Sequence, residues 1–206
     1  MIDYQALALM LGGTLLASLL QAGVANFRVT LLALASLLHP AFDPATTKAE
    51  LSRQIGDLGR DGLVRAPRAV IGDTEFGAST AAMIASRSLD ALLAKHEASR
   101  SIRFANAATA RQVCHQAAEL AQMFGLAGTL LALGRLGPLA GGAGGVASAI
   151  GMAVTTTLYG VILANLLFVP LAGMIERRAR AEDRAREDLF VWLEGHAQKS
   201  APRLVA

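Results

Sequence analysis

The residues best placed to do chemistry in this 206-residue chain are hydroxyls set inside long uncharged runs. Thr129 lies in the run 120–134, and Thr155, Thr156 and Thr157 lie in the run 136–175. Four hydroxyls at similar depth can form a polar lining. Each can equally well donate to a carbonyl one turn earlier in its own helix. What is missing says as much. No Asp or Glu occurs between residues 4 and 42 or between 120 and 175. Relay of H⁺ or Na⁺ through a membrane requires an ionisable group there. If ions pass along these runs, the carboxylate must therefore come from another polypeptide. His39, His96, His115 and His196 are scattered, and Cys114 is the single cysteine. No metal-ligand spacing results, and a core or interfacial role suits these residues better. The glycines at 141–145 lack the Lys-Ser/Thr of a phosphate loop. The reading is of a protein that is not an enzyme and carries no cofactor or metal; if it passes ions, H⁺ or Na⁺ would be the translocated species.

The elements that must hold these hydroxyls are membrane helices. Hydrophobic residues make up 53% of the chain and charged residues 17%. A soluble domain carries about 25% charged residues. Aromatics are only 5%, and there are 20 glycines. Small residues of this kind let membrane helices approach closely. The net charge of +3, with no basic residues interleaved with aromatics, gives nucleic-acid binding no support.

Residues 4–27 contain no Asp, Glu, Lys or Arg. At about 1.5 Å per residue they reach across a hydrocarbon core of about 30 Å. No basic residue precedes them, which argues for a retained span over a signal peptide. The run 120–134 becomes long enough if its helix starts before Glu119 and Arg135 snorkels outward. LGPLAGGAGG, with Pro138 and Gly141–Gly145, reads as a turn. The apolar stretch 146–175 then follows and is longer than a membrane is thick.

The expected fold is therefore all-α: an integral membrane protein with three transmembrane helices and a helical cytoplasmic region. The first transmembrane helix occupies 1–27 and the cytoplasmic helical region 28–118. A transmembrane hairpin occupies 119–175 and a charged cytoplasmic tail 176–206. Of the 19 basic residues, only Arg135 falls at the hairpin end. The bias of Lys and Arg toward the cytoplasm then places the N-terminus outside.

Outside the spans, residues 28–40 continue the first helix along the inner membrane surface, ending at Pro40 and Pro44. Residues 46–66 are amphipathic, with Leu51, Ile55, Leu58 and Leu63 at helical spacing. Residues 76–122 read as long helices running back to the membrane. The tail reads as a solvated helix laced with i,i+4 ion pairs such as Glu182–Arg186. Small residues form stripes along the spans: Gly13 and Ala17; Gly125 and Thr129; Ala147, Gly151 and Thr155; Thr156, Gly160 and Ala164.

MFGLAGTLLALG at 123–134 and SAIGMAVTTTLYGVILANLLFVPLAG at 148–173 resemble the MotA/TolQ/ExbB proton-channel family, most of all the flagellar motor stator subunit. Phe124, Gly125, Gly128, Thr129, Gly151, Ala153, Thr156 to Gly160, Ala164, Asn165, Pro170 and Ala172 carry the resemblance. IDYQALALMLGGTLLASLL resembles the stator's second membrane helix, so the sequence begins one span into that four-span pattern. Gln122 stands where the family has a proline, and FGAST at 76–80 lacks the basic residues of rotor contact.

The resemblance implies an ion-channel subunit of stator type in the bacterial inner membrane. Five copies would form a ring around two copies of a single-span MotB/ExbD/TolR-like partner bearing a membrane Asp. Thr129, Thr156 and Thr157 would line the ion path. Gly125, Gly128, Gly151 and Gly160 would serve helix packing, and Pro170 would bend its helix. An ExbB/TolQ-like energiser of envelope transport or integrity is the neighbouring reading, and a non-conducting membrane scaffold the more distant one.

Overall fold

The computed structural model describes residues 4–39, 42–61, 72–86, 89–134 and 142–204. Helix accounts for 97% of them, and no strand occurs among the described residues. In chain order the helices are α1 (Tyr4–Leu38), α2 (Pro44–Asp61), α3 (Thr74–Ser86), α4 (Leu89–Gly134), α5 (Gly142–Ile162) and α6 (Val169–Leu204). A π-helical segment, Leu163–Phe168, joins α5 to α6 without a break. Three stretches are long and apolar enough to cross a membrane: Met10–Leu38, Asp90–Gly134 and Gly144–His196. These are the expected three spans. Arg135, Pro138 and Gly141 of the expected turn lie outside the described residues, as do Pro40 and Leu63. Helix α5 begins at Gly142, earlier than its apolar composition suggests, so Gly144 and Gly145 are helical rather than part of a turn.

The chain divides into two compact units. The first contains residues 1–39 and 106–177. Its interior is built of small side chains. Met10, with Leu7 and Leu11, packs on Ala117, Ala118 and Ala121 of α4 and on Leu163, Ala164 and Phe168. A second cluster joins Ala33, Leu34 and Leu37 of α1 to Ala110 and Cys114 of α4 and to Ala172 and Ile175 of α6. The large apolar side chains point the other way: Leu20 is 76% exposed and Leu130 71%. Small inside and large apolar outside is the arrangement that a hydrocarbon solvent permits and water does not. Two buried hydroxyls on α1 return to their own helix, Ser18 donating to the Thr14 carbonyl at 2.7 Å and Thr30 to the Asn26 carbonyl at 2.8 Å, while the buried Thr14 Oγ1 has no hydrogen-bond partner among the described residues.

Helix α1 is bent at Gly23, where φ is 78° and ψ 158°. Only glycine occupies this backbone region readily. Helix α1 is thus two helical segments joined at a kink inside the uncharged run, and residues 28–38 continue the second of them.

The second unit contains residues 40–105 and 178–206. Asp43 opens α2 by accepting the Ala45 N–H at 3.0 Å, with Pro44 at the first helical position. Asp73 opens α3 by accepting the N–H groups of Glu75 and Phe76, each at 3.0 Å. The apolar core is Leu51, Phe76, Leu92, Leu189, Phe190 and Leu193.

Beside that core lies an ionic one. Arg186 forks onto Asp73 at 3.0 and 2.8 Å, reaches Glu182 at 2.9 Å and Glu75 at 3.3 Å, and stacks over Phe42 at 4.2 Å. Arg103 pairs with Glu75 and with Asp183, and Arg100 reaches Asp183 at 3.2 Å. Asp183 and Arg186 are each only 8% exposed. The tail is therefore no solvated helix. The expected Glu182–Arg186 pair forms, but Arg186 and Asp183 face inward because α6 packs its Leu189–Leu193 side on the same core.

Burial pushes the Glu75 carboxyl up, but His96, the Arg103 hydrogen bond and the Arg103 and Arg186 charges outweigh it and hold it below the usual carboxylate range. A carboxyl depressed in the folded state contributes stability above its unfolded pKa of about 4.3 and loses it as pH falls through the folded value. Acid unfolding of this unit is expected to begin below about pH 4.5, and Glu75→Gln should flatten it. Circular dichroism across pH 2–7 reads this out. At the α1 kink, nothing lies within 4 Å of a Cβ added at Gly23 or at Gly12. Gly23→Ala should therefore cost about 1–3 kcal/mol through backbone strain alone. Gly12→Ala, in regular helix, should be neutral or slightly stabilising by thermal denaturation in detergent.

Candidate functional site

Two helices of the first unit, α4 and α5, meet at glycine. A Cβ on Gly160 would stand 2.7 Å from the Ala121 carbonyl oxygen and 3.0 Å from Gly125 Cα. One on Gly128 would stand 2.8 Å from Thr156 Cβ, and one on Gly125 would stand 3.2 Å from Gly160 Cα. Distances this short leave no room for a side chain. The stripe Thr156–Gly160–Ala164 is therefore the buried face of α5, and Thr156 is 5% exposed. On α1, Gly13 meets the edge of the Phe124 ring, 3.3 Å from where its Cβ would be.

This seam opens on one side into a groove of about 630 Å³. Thr129 and Leu133 of α4 line it, with Ile150, Ala153, Val154, Thr157, Leu158 and Val161 of α5. Thr129 Oγ1 donates to the Leu126 carbonyl at 2.6 Å and Thr157 Oγ1 to the Ala153 carbonyl at 3.2 Å. With their protons directed into their own helices, both hydroxyls keep oxygen lone pairs for an outside donor. The surface of the wall is otherwise almost wholly apolar. It holds no charge of its own.

Beyond the groove, α5 widens into the π segment. Val169 N–H bonds to Ala164 O, five residues back, and Asn165 Nδ2 donates to Val161 O at 3.0 Å. Pro170 follows directly. In α register its ring would press on the carbonyl four residues earlier and supply no N–H, and the wider turn relieves that contact. Segments of this kind are frequent at functional sites.

Residues 76–188 match the MotA/TolQ/ExbB proton channel family. The chain belongs to that family. A solved structure described as the structure of C. jejuni MotAB is similar over 98% of this chain and 80% of that chain, with TM-score 0.83 and 15% identity, a likeness of fold. No curated protein matches the sequence significantly.

The geometry sorts the residues that the sequence singled out in this family member. Thr129 and Thr157 come together on the groove wall. Thr156 does not join them: it packs on Gly128 in the seam and donates to Ala153 O at 2.9 Å. Gly125, Gly128 and Gly160 form the seam. Gly151 has open space where its Cβ would be and lies on an exposed stripe with Ala147. Pro170 bounds the π segment. The sequence did not single out Ala121, whose carbonyl sets the closest approach, and gave Ala153, whose carbonyl accepts from two threonines, no role beyond the resemblance. An alanine inside an alanine-rich run carries no signal of its own.

Gly160→Ala should destabilise the protein by about 1–3 kcal/mol, because the collision is with backbone. Gly151→Ala should be neutral or slightly stabilising. Thermal unfolding of the purified chain in detergent separates them.

Proposed function

We propose that this chain is the ring subunit of an ion-driven stator that, with a single-span partner carrying a membrane Asp, couples H⁺ flow to mechanical work. The observation that carries the reading is the groove. Two threonines, Thr129 and Thr157, line its almost wholly apolar wall within a carboxylate-free stretch. Such a wall suits a partner carboxylic acid in its neutral form, which donates to a hydroxyl oxygen at little desolvation cost. Once ionised, the same Asp finds no fixed positive charge there and is favoured to move toward water. Alternate protonation then drives alternate engagement and release, and a ring of such walls turns one step per proton. H⁺ suits this better than Na⁺, because the described groove offers too few oxygens for a bare cation.

Membership of the proton channel family supports the general role. The lysine and arginine distribution supports an N-terminus outside and the charged unit in the cytoplasm of a bacterial inner membrane, and the family resemblance supports a pentamer around two partners. The TTLYG motif favours a flagellar-type stator over an ExbB/TolQ-like energiser.

Co-expression with an Asp-bearing partner is expected to yield a 5:2 complex by native mass spectrometry and to acidify loaded cells. Thr129→Val and Thr157→Val should each cut proton flux by at least about ten-fold while leaving the complex intact, since each removes one acceptor, worth about 1.4 kcal/mol or more to the bound acid. An intact complex that conducts equally without both hydroxyls would overturn the role given to the groove, and one that assembles but carries no proton flux would leave the scaffold reading in its place.

A further inference from the structure

His96 in the second unit sits where the mechanism makes no use of it. The side chain is 7% exposed, on α4, with its ring stacked 4.1 Å from that of Phe190. Nδ1 lies 3.2 Å from Oε1 of Glu75 on α3, and Nε2 lies 3.6 Å from Oε2 of Glu187 on α6. Neither Nε2 nor Glu75 Oε1 has a well-formed hydrogen bond. A neutral imidazole carries one donor and one acceptor nitrogen. Here both nitrogens face carboxylates, so in the neutral ring one lone pair opposes a carboxylate oxygen. A second proton makes both nitrogens donors.

The charged groups around the ring are mostly carboxylates. Asp73 and Glu75 face the cluster from the start of α3, and Glu182, Asp183 and Glu187 from α6. Against these five carboxylates stand three guanidiniums, Arg100 and Arg103 of α4 and Arg186 of α6. Among its described side chains, helix α2 packs with Leu51 and the buried Thr47, while Lys48 lies over Trp192 and Glu50 accepts the Gly72 N–H. A cation against the face of Phe190 is also favourable.

We propose that His96 makes this unit an acid-sensitive brace, in which protonation of the buried imidazole ties Glu75 on α3 to Glu187 on α6 and stiffens the helix packing. Histidine is the side chain that ordinarily changes charge between about pH 5 and 8. The brace's use as regulation rests on the stator reading: if the charged unit faces the compartment that receives the protons, acidification there stiffens the unit in response to flow.

Hydrogen exchange of the full chain in lipid nanodiscs, corrected for the intrinsic pH dependence of exchange, tests this. Peptides from α3 and from 183–193 should exchange about three-fold or more slower at pH 6 than at pH 8, the scale of one charge-assisted hydrogen bond gained. His96→Gln should abolish the difference. Equal protection at both pH values, or a difference that survives in His96→Gln, overturns the proposal. Should that variant fail to fold, Glu187→Gln removes the half-exposed partner and leaves the ring: a reduced difference supports the brace, and an unchanged one overturns it. Proton flux with the partner is read separately. Loss of the brace with flux intact, and loss of flux with the brace intact, are distinct results.

Discussion

The constraint on which the first unit depends is the approach of two backbones. Gly160 and Ala121 are close enough that a single methyl would collide with a carbonyl oxygen. Without a hydrophobic drive between helices in lipid, association rests on dispersion contacts and close fit. Glycine and alanine maximise both by removing what would hold the axes apart. The groove follows from this contact. Because α4 and α5 touch at Gly125, Gly128 and Gly160, the flanking side chains Thr129 and Thr157 are brought onto one wall. A seam widened by a side chain would separate them, and the wall would lose its paired oxygens before either threonine was touched.

The second unit solves the opposite problem. It has few large apolar residues, and its centre is divided between a core of six and an ionic cluster. Arg186 shows why burying charge is tolerable here. Its guanidinium is bonded to Asp73 and Glu182 and covered by Phe42, so the desolvation of each ion is offset by several partners at once. Asp73 has two duties, since its carboxylate also caps α3. Losing it would free a helix start and strand a buried cation together. Such a network gives geometric definition more than net stability, a trade suited to a unit that must hold a fixed shape.

The spans were legible because lipid demands long uncharged runs, and the family was legible because glycine and threonine spacing survives as pattern. The choice between stripes was not. Ala147–Gly151–Thr155 and Thr156–Gly160–Ala164 have the same spacing and similar composition, yet one is exposed and the other is the seam. Only the rotation of α5 against α4 distinguishes them, and that is a tertiary fact. Thr156 was misplaced for the same reason: three consecutive threonines point some 100° apart, so they cannot all line one wall. The inward turn of Arg186 was hidden differently. Its partner Asp73 lies 113 residues away, and nothing nearby marks this arginine from its neighbours in the tail. The π segment left one local trace, Pro170, which signals an interruption without giving its kind.

In the proposed stator, hydroxyls in the ring and a carboxylate in the partner would make a division of labour with a physical reason. A carboxylate fixed in the wall would need its own compensating cation to stay buried, and it would hold its proton according to that local pair. A hydroxyl has no such requirement. It stays neutral through the cycle, accepts from the protonated acid, and offers the ionised one only weak contact. The difference in affinity between the two states of the partner therefore comes almost wholly from the desolvation of the partner's own charge. That is the quantity a proton-driven step needs to be large, and an uncharged wall with two oxygens makes it so.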